Sequence, residues 1–208
     1  MKSGMIARMA GDAALEAHLT YDEYLTLERE TGQRHEWFNG RVYAMAGGTL
    51  AHAALSVAMA SELRAIALAC GCQVFSADAK VRVLATGLTT YPDASVVCGK
   101  VATAPEDANA ITNPALLVEV LSDGTEAYDR GDKFEHYQQL PSLRDYVLVS
   151  QHRPRVEVYS RDGDTWTMRV AGPGQTAPLS AMRGVIEVDR IYAGVALTPS
   201  PPRAAPQG

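Results

Sequence analysis

Pro114-Ala115-Leu116-Leu117-Val118-Glu119-Val120-Leu121 is the stretch that decides the fold. Its aliphatic run has strand length and lacks the polar alternation of a half-solvated strand. That is the pattern of a strand buried on both faces. One carboxylate, Glu119, interrupts it. Upstream, Tyr91-Pro92-Asp93 leads into a second short apolar strand, expected over 92–97, again with a carboxylate at its entrance. Downstream, residues 125–140 are predicted as a helix with Tyr128, Phe134 and Tyr137 as candidate core contacts. Strands are then expected at 144–149 and 155–159, joined by a turn around His152-Arg153-Pro154. Residues 165–170 can pair with the latter, and 185–188 can add a late strand.

Toward the N-terminus, Thr20 is a good N-cap with Glu23 three residues on, a capping box. Tyr24, Leu25 and Leu27 give that helix an apolar face, and Gly32 stops it. Residues 35–38 and 41–46 flank Asn39-Gly40, a strong hairpin signal. Residues 49–69 are predicted as a long helix with Leu55, Met59, Leu63 and Ile66 as its buried stripe. A strand is expected over 73–84. Helix, hairpin, helix, three strands, helix, strands is the order of an α/β chain with a mixed sheet carrying helices on its faces.

The 208 residues suit one domain, expected over 19–198. A loosely ordered leader is expected over 1–18 and a Pro/Ala-rich disordered tail over 199–208. No apolar run approaches the roughly 20 residues of a membrane helix, so no membrane partner is expected. Three cysteines cannot all pair with one another. Their odd number and lack of framework spacing point to a reducing cytoplasm. The net charge of −5 argues against a protein that coats nucleic acid without specificity. Only 4 of the 19 cationic side chains are lysines, which singles each of them out.

Asp93 and Glu119 are oddly placed, because a buried ionised carboxylate is costly unless it is paired, hydrogen-bonded or metal-bound. Two of them on neighbouring strands repel, and a hard divalent cation such as Mg²⁺, which favours carboxylate and water ligands, resolves the repulsion. The bland alternative has Asp93 capping a turn and Glu119 paired with an arginine. Lys133 is the third element, on the helix after the Glu119 strand. A surface pair with Asp129 at i,i+4 is its plainer reading, and Lys80, after Asp78, is its rival. Glu36 either faces the site, where it ligates the metal directly or through water, or lies exposed on its strand. His52 sits in the first turn of the long helix, as a phosphate contact or a structural histidine. Ser122 or Thr125 can cap the helix that follows. No nucleophile elbow surrounds Ser122, and neither a P-loop nor a dinucleotide fingerprint is present.

These blocks, taken in order, resemble the Uma2 family, also called the DUF820 or restriction-endonuclease-like group. The blocks are Tyr21-Asp22-Glu23-Tyr24, Glu36-Trp37-Phe38-Asn39-Gly40, His52, Tyr91-Pro92-Asp93, Leu117-Val118-Glu119-Val120-Leu121-Ser122, and Tyr128-Asp129-Arg130-Gly131-Asp132-Lys133 with Tyr137. The resemblance runs from about Leu19 to Tyr159. It implies the PD-(D/E)XK nuclease fold, a central mixed β-sheet flanked by helices. It also implies a Mg²⁺- or Mn²⁺-dependent endonuclease acting on nucleic acid, with DNA the expected substrate and a homodimer the expected assembly. Asp93 and Glu119 then match the motif acids that bind metal, and Glu36 the accessory acid. The standard pattern puts a lysine two residues after the second acid, where this chain has Leu121. Lys133 on the following helix takes that place, with His52, Ser122 and Tyr137 as accessory candidates. The family usually continues Ser-Pro-Ser-Thr after the acid; here the loop is Ser122-Asp123-Gly124-Thr125, with an added charge. The competing readings are a non-catalytic module of the same fold that binds a partner, and a glycosidase built on the two carboxylates. The second lacks an aromatic platform, since aromatics make up 7 % of the chain.

Overall fold

The computed structural model describes residues 14–15, 18–45 and 47–199. Most of the expected leader and all but the first residue of the expected tail lie outside the described residues. In chain order the elements are β1 (Ala14–Leu15), α1 (Tyr21–Thr31), β2 (His35–Phe38), β3 (Arg41–Ala44), α2 (Leu50–Cys70), β4 (Cys72–Ser76), β5 (Lys80–Arg82), β6 (Thr89–Thr90), β7 (Ala94–Cys98), β8 (Thr103–Ala104), β9 (Asp107–Ile111), β10 (Leu116–Leu121), α3 (Glu126–Arg130), α4 (Asp132–Gln138), β11 (Asp145–Ser150), β12 (Val156–Asp162), β13 (Thr165–Ala171), β14 (Thr176–Leu179), β15 (Gly184–Glu187) and α5 (Val188–Tyr192).

The central sheet has six strands in the order β13-β12-β11-β10-β7-β4. β10 and β11 run parallel, with Glu119 level with Leu148, and every other pair in the sheet is antiparallel. This is the mixed sheet expected from the chain order. The parallel pair needs a crossover connection, which α3 and α4 supply. β10 is buried at every position. Leu116, Val118 and Val120 pack with Leu55, Met59 and Leu63 of α2. Leu117 and Leu121, on the opposite face, pack with Phe134 and Tyr137 of α4 and Tyr146 of β11. Strand alternation puts Glu119 on that second face, toward α3 and α4.

Local chemistry sets the boundaries. Thr20 and Glu23 form the complete capping box of α1, and Gly32 closes it in the left-handed region at φ 66°. Asn39 (φ 49°) and Gly40 (φ 82°) make the β2–β3 turn, where two successive positive φ values suit the twist of a hairpin. Thr49 caps α2 by accepting from the His52 N–H.

Four expectations are corrected. Residues 73–84 are not one strand. The chain turns at 77–79, where the Asp78 N–H donates to Ser76, so β4 joins the central sheet. β5 instead joins a seven-stranded sheet, β1-β3-β2-β6-β5-β9-β8. Residues 125–140 are not one helix. Gly131 leaves the helical region (ψ −106°) and separates α3 from α4. The third correction concerns α2, which is long and apolar enough by length and composition to cross a membrane, contrary to the run-length reading. Ala51, Leu55, Met59, Leu63 and Ala67 place one of its faces in the core, whereas Ile66 is only partly buried. Finally, Cys72 and Cys98, opposite each other on β4 and β7, form a disulfide. Cys70 remains free and exposed.

Candidate active site

The register β10–β7 pairs Val118 with Ala94. One further step brings Asp93, at the mouth of β7, beside Glu119. The Val120 N–H donates to Asp93 Oδ2 (2.7 Å) and the Ser56 hydroxyl to Oδ1 (3.2 Å). Asp93 is thereby held by the neighbouring strand and by α2. His52, one turn before Ser56, sets Nε2 3.4 Å from Asp93 Oδ2. Its hydrogen bond to Asp93 outweighs burial and raises the imidazole above its ordinary pKa.

Glu119 is buried, and its Oε1 accepts from the Tyr137 hydroxyl (2.8 Å) and from Lys133 Nζ (2.9 Å). Lys133 lies on α4, the helix over the face to which Glu119 points. The same ammonium reaches Glu36 Oε1 at 3.2 Å and Asp129 Oδ1 at 3.3 Å. Thr90 on β6 donates to Glu36 Oε1. Three carboxylates from β2, β10 and α3 therefore converge on one buried lysine. The short surface pair expected for Lys133 and Asp129 exists, though as part of this buried group, and Glu36 is a buried member of it rather than an exposed strand carboxylate. The rival Lys80 is elsewhere, bonded to Glu28 (3.1 Å) and Asp107 (2.6 Å).

The electrostatics follow from burial. Desolvation raises the Glu119 carboxyl well above the usual range; Lys133 opposes this, and Asp129 and Asp93 add to it. Desolvation also raises Asp129. Burial alone pulls the Lys133 ammonium down, but Glu119 and Glu36 more than reverse this and keep it charged.

Sequence spacing marks Asp129 only as a partner for Lys133, yet it is a full member of the cluster. It is 2 % exposed, and its Oδ1 has no hydrogen-bond partner. Lys133 Nζ approaches this oxygen to 3.3 Å, and Lys133 and Thr125 pull the carboxyl down without overcoming its burial. Its i−4 spacing from Lys133 was the available signal; burial is what spacing alone does not reveal. Ser122 and Thr125 bond to each other (2.9 Å). Neither side chain caps α3, whose first N–H groups bond instead to the Ser122 carbonyl. The added loop charge, Asp123, meets His152 Nε2 at 2.7 Å. A cavity of about 760 Å³ opens over Lys80, Glu28, Tyr91 and Asp107, away from this cluster.

The donor set is all oxygen: Asp93, Glu119, Asp129 and Glu36. Among the described residues, no three His, Cys, Asp or Glu side chains converge at metal-holding geometry. The ligands here are at most a pair of carboxylates, which suits Mg²⁺, an ion that keeps several of its waters. The four carboxylates carry −4 when ionised, against one charge each from Lys133 and a protonated His52. Lys133 and His52 leave these acids undercompensated, and the oxygens of Asp93 and Glu119 on the neighbouring strands β7 and β10 fit a divalent cation.

The Uma2 family model, "Putative restriction endonuclease", matches residues 21–189. "Uncharacterized protein slr1290" of Synechocystis sp. (strain ATCC 27184 / PCC 6803 / Kazusa) is 37 % identical over 183 residues, which cover 86 % of this chain and 93 % of that protein. "Uncharacterized protein sll1609" of the same organism is 29 % identical over 164 residues, 77 % of this chain and 91 % of that one. Among solved structures, "a putative nuclease belonging to DUF820" from Anabaena variabilis ATCC 29413 superposes with a TM-score of 0.68 at 18 % identity, covering 84 % of this chain and 98 % of its own. That likeness is one of fold.

Proposed function

The chain belongs to the Uma2 family of restriction-endonuclease-like proteins, and on that footing we propose that it is a Mg²⁺- or Mn²⁺-dependent endonuclease that hydrolyses phosphodiester bonds in DNA. The observation that carries the reading is the crowding of buried carboxyl groups at Asp93, Glu119 and Asp129, which Lys133 only partly offsets. Asp93 and Glu119 would hold the cation. Once bound, it supplies an activated water and charge stabilisation at the phosphoryl oxygens.

The chain's own residues do the rest. Tyr137 and Lys133 fix the Glu119 carboxylate from the α4 side. Val120 and Ser56 fix Asp93 from the other side. Lys133 keeps an ammonium in a dry site, where it acts on a scissile phosphate more strongly than it would in water. Glu36 holds Lys133 in place and is itself held by Thr90. The His52 imidazolium, partly exposed beside Asp93, offers a donor to a phosphate oxygen at the mouth. A homodimer is part of the reading, since one site cuts one strand, and so is a cytoplasmic location, where the Cys72–Cys98 pair would be exposed to reduction.

Calorimetry with Mn²⁺ tests the metal assignment: wild type binds and Asp93→Ala does not. Equal binding in both removes it. Cleavage of supercoiled and of single-stranded DNA by wild type, with Lys133→Ala inactive, tests the nuclease. A non-catalytic binding module is the second reading. It is favoured by the convergence of the carboxylates on Lys133 itself and by the net charge of −5. Metal-independent stability with no cleavage of DNA or RNA would establish it.

A further inference from the structure

α2 is apolar on the side that the described residues leave uncovered. Its inner face packs in the core, yet Leu50 is 92 % exposed and Val57 and Leu68 are each 71 % exposed on the outer side. Ala53, Ser61 and Ala65 lie exposed between them. Contiguous exposed apolar surface of this kind marks an interaction site more often than isolated leucines do. Arg64 is the one charged side chain fully exposed on the helix; Glu62 is tied to Arg190 of α5 at 3.0 Å.

The order of residues along the stripe is self-complementary. In an antiparallel pair centred between Val57 and Ser61, Leu50 of one copy lies level with Leu68 of the other. Ala53 then meets Ala65, and Val57 meets Ser61. Small residues at the middle let two helices approach to about 8 Å, and large ones close the ends. The two Arg64 side chains fall about 15 Å apart along the axis, beyond the screening length of roughly 8–10 Å. We propose that this face of α2 is the isologous contact of a homodimer, with the two α2 helices antiparallel.

A stripe about 27 Å long on a helix about 10 Å wide, closed by its twin, buries on the order of 1,000 Å² in total. That lies just below the roughly 1,200 Å² of stable interfaces, in the range of weak and transient contacts. A membrane surface fits less well. Helices that lie on a bilayer oppose their apolar face with a cationic polar one; the opposite face of α2 is protein core, and the helix carries no lysine. The inference is independent of the nuclease chemistry. Its failure would remove the homodimer from the proposed function but leave metal binding and single-strand cleavage untouched, and the failure of those would leave the dimer.

Sedimentation velocity of the full chain between about 1 and 100 μM tests it. The expected result is a concentration-dependent shift toward twice the chain mass of 22.3 kDa. Val57→Glu and, separately, Ala65→Glu should each hold the protein monomeric with unchanged circular dichroism, since both positions are exposed. Nitroxide labels at Leu50→Cys, in a Cys70→Ser background, should lie about 27 Å apart along the helices, and labels at Ser61→Cys much closer. A monomer throughout, a dimer unmoved by both glutamates, short Leu50–Leu50 distances, or a monomer that instead binds vesicles of anionic phospholipid would each overturn the proposal.

Discussion

Two buried lysines organise two clusters of acids in this molecule, and they are not alike. Lys80 sits between Glu28 and Asp107, and every group around it is matched. Glu28 also accepts from the His35 N–H (2.8 Å) and the Tyr91 hydroxyl, and Asp107 from the Tyr21 hydroxyl (3.3 Å) and the Asn109 N–H (3.0 Å). Lys80 overcomes the burial of Asp107 and holds its carboxyl below the usual range. Around Lys133 the balance reverses. Three carboxylates and nearby Asp93 share one ammonium, Asp129 keeps an orphaned oxygen, and burial wins at both Asp129 and Glu119. Asp129, the more deeply buried of the two aspartates, shifts up, and Asp107, better supplied with donors, shifts down. A satisfied ion cluster reads as structure, and an unsatisfied one reads as a place prepared for something else.

The comparison breaks most sharply if the lysines are exchanged for methionine. Lys133→Met should lower DNA cleavage by roughly 10²–10³-fold or more. Lys80→Met should cost about 3–5 kcal/mol of stability by stranding two acids, yet leave the rate per folded molecule unchanged. Urea titration alongside the cleavage assay separates the two, and equal loss of activity per folded molecule would erase the distinction. Next in size is the response to metal. Mn²⁺ at 100 times its dissociation constant should stabilise wild type by about 2.7 kcal/mol. Asp93→Asn should abolish this and Asp107→Asn should keep it, as read by thermal melts with and without Mn²⁺.

A smaller effect concerns pH. Glu119 has a raised carboxyl in the fold, so the native state binds more protons than the unfolded chain above the unfolded value of about 4.3. Its contribution is therefore greatest in acid and is lost as pH rises through the folded value. Glu119→Gln should make the metal-free protein more stable at pH 8, by on the order of 1 kcal/mol, and flatten that decline. Asp107, being depressed, acts the other way: its stabilisation is present above about 3.9 and is lost as pH falls. The smallest change is expected at His52. Its raised imidazole stabilises the fold below the unfolded value of about 6.5 and loses this as pH rises. His52→Gln should cost about 0.5 kcal/mol near pH 6 and less at pH 9.

Much of this was legible in the chain. The Thr20–Glu23 box, the Asn39-Gly40 turn and the α2 stripe rest on local rules, and all but Ile66 of the stripe stand where those rules put them. Charge inside apolar runs marks Asp93 and Glu119, and their adjacency follows from strand register. What stayed hidden is non-local. The second sheet depends on β5 leaving the line of β4, and β9, which no periodicity announced, pairs with it. Asp129 belongs to the cluster because α3 docks on β10, a fact of packing rather than spacing. The matched state of Lys80 needs partners 52 and 27 positions away in sequence, Glu28 and Asp107.

The break at Gly131 carries one more consequence. Lys133 rides on a seven-residue helix of its own, while Leu121 stays in the core, at the position where the usual motif sets its lysine. Acid and cation are thus encoded in separate modules that meet only in three dimensions. Each can drift by point mutation without disturbing the other's scaffold. A search of genomes keyed to fixed acid–lysine spacing will pass over such chains, and one keyed to spatial adjacency will retrieve them.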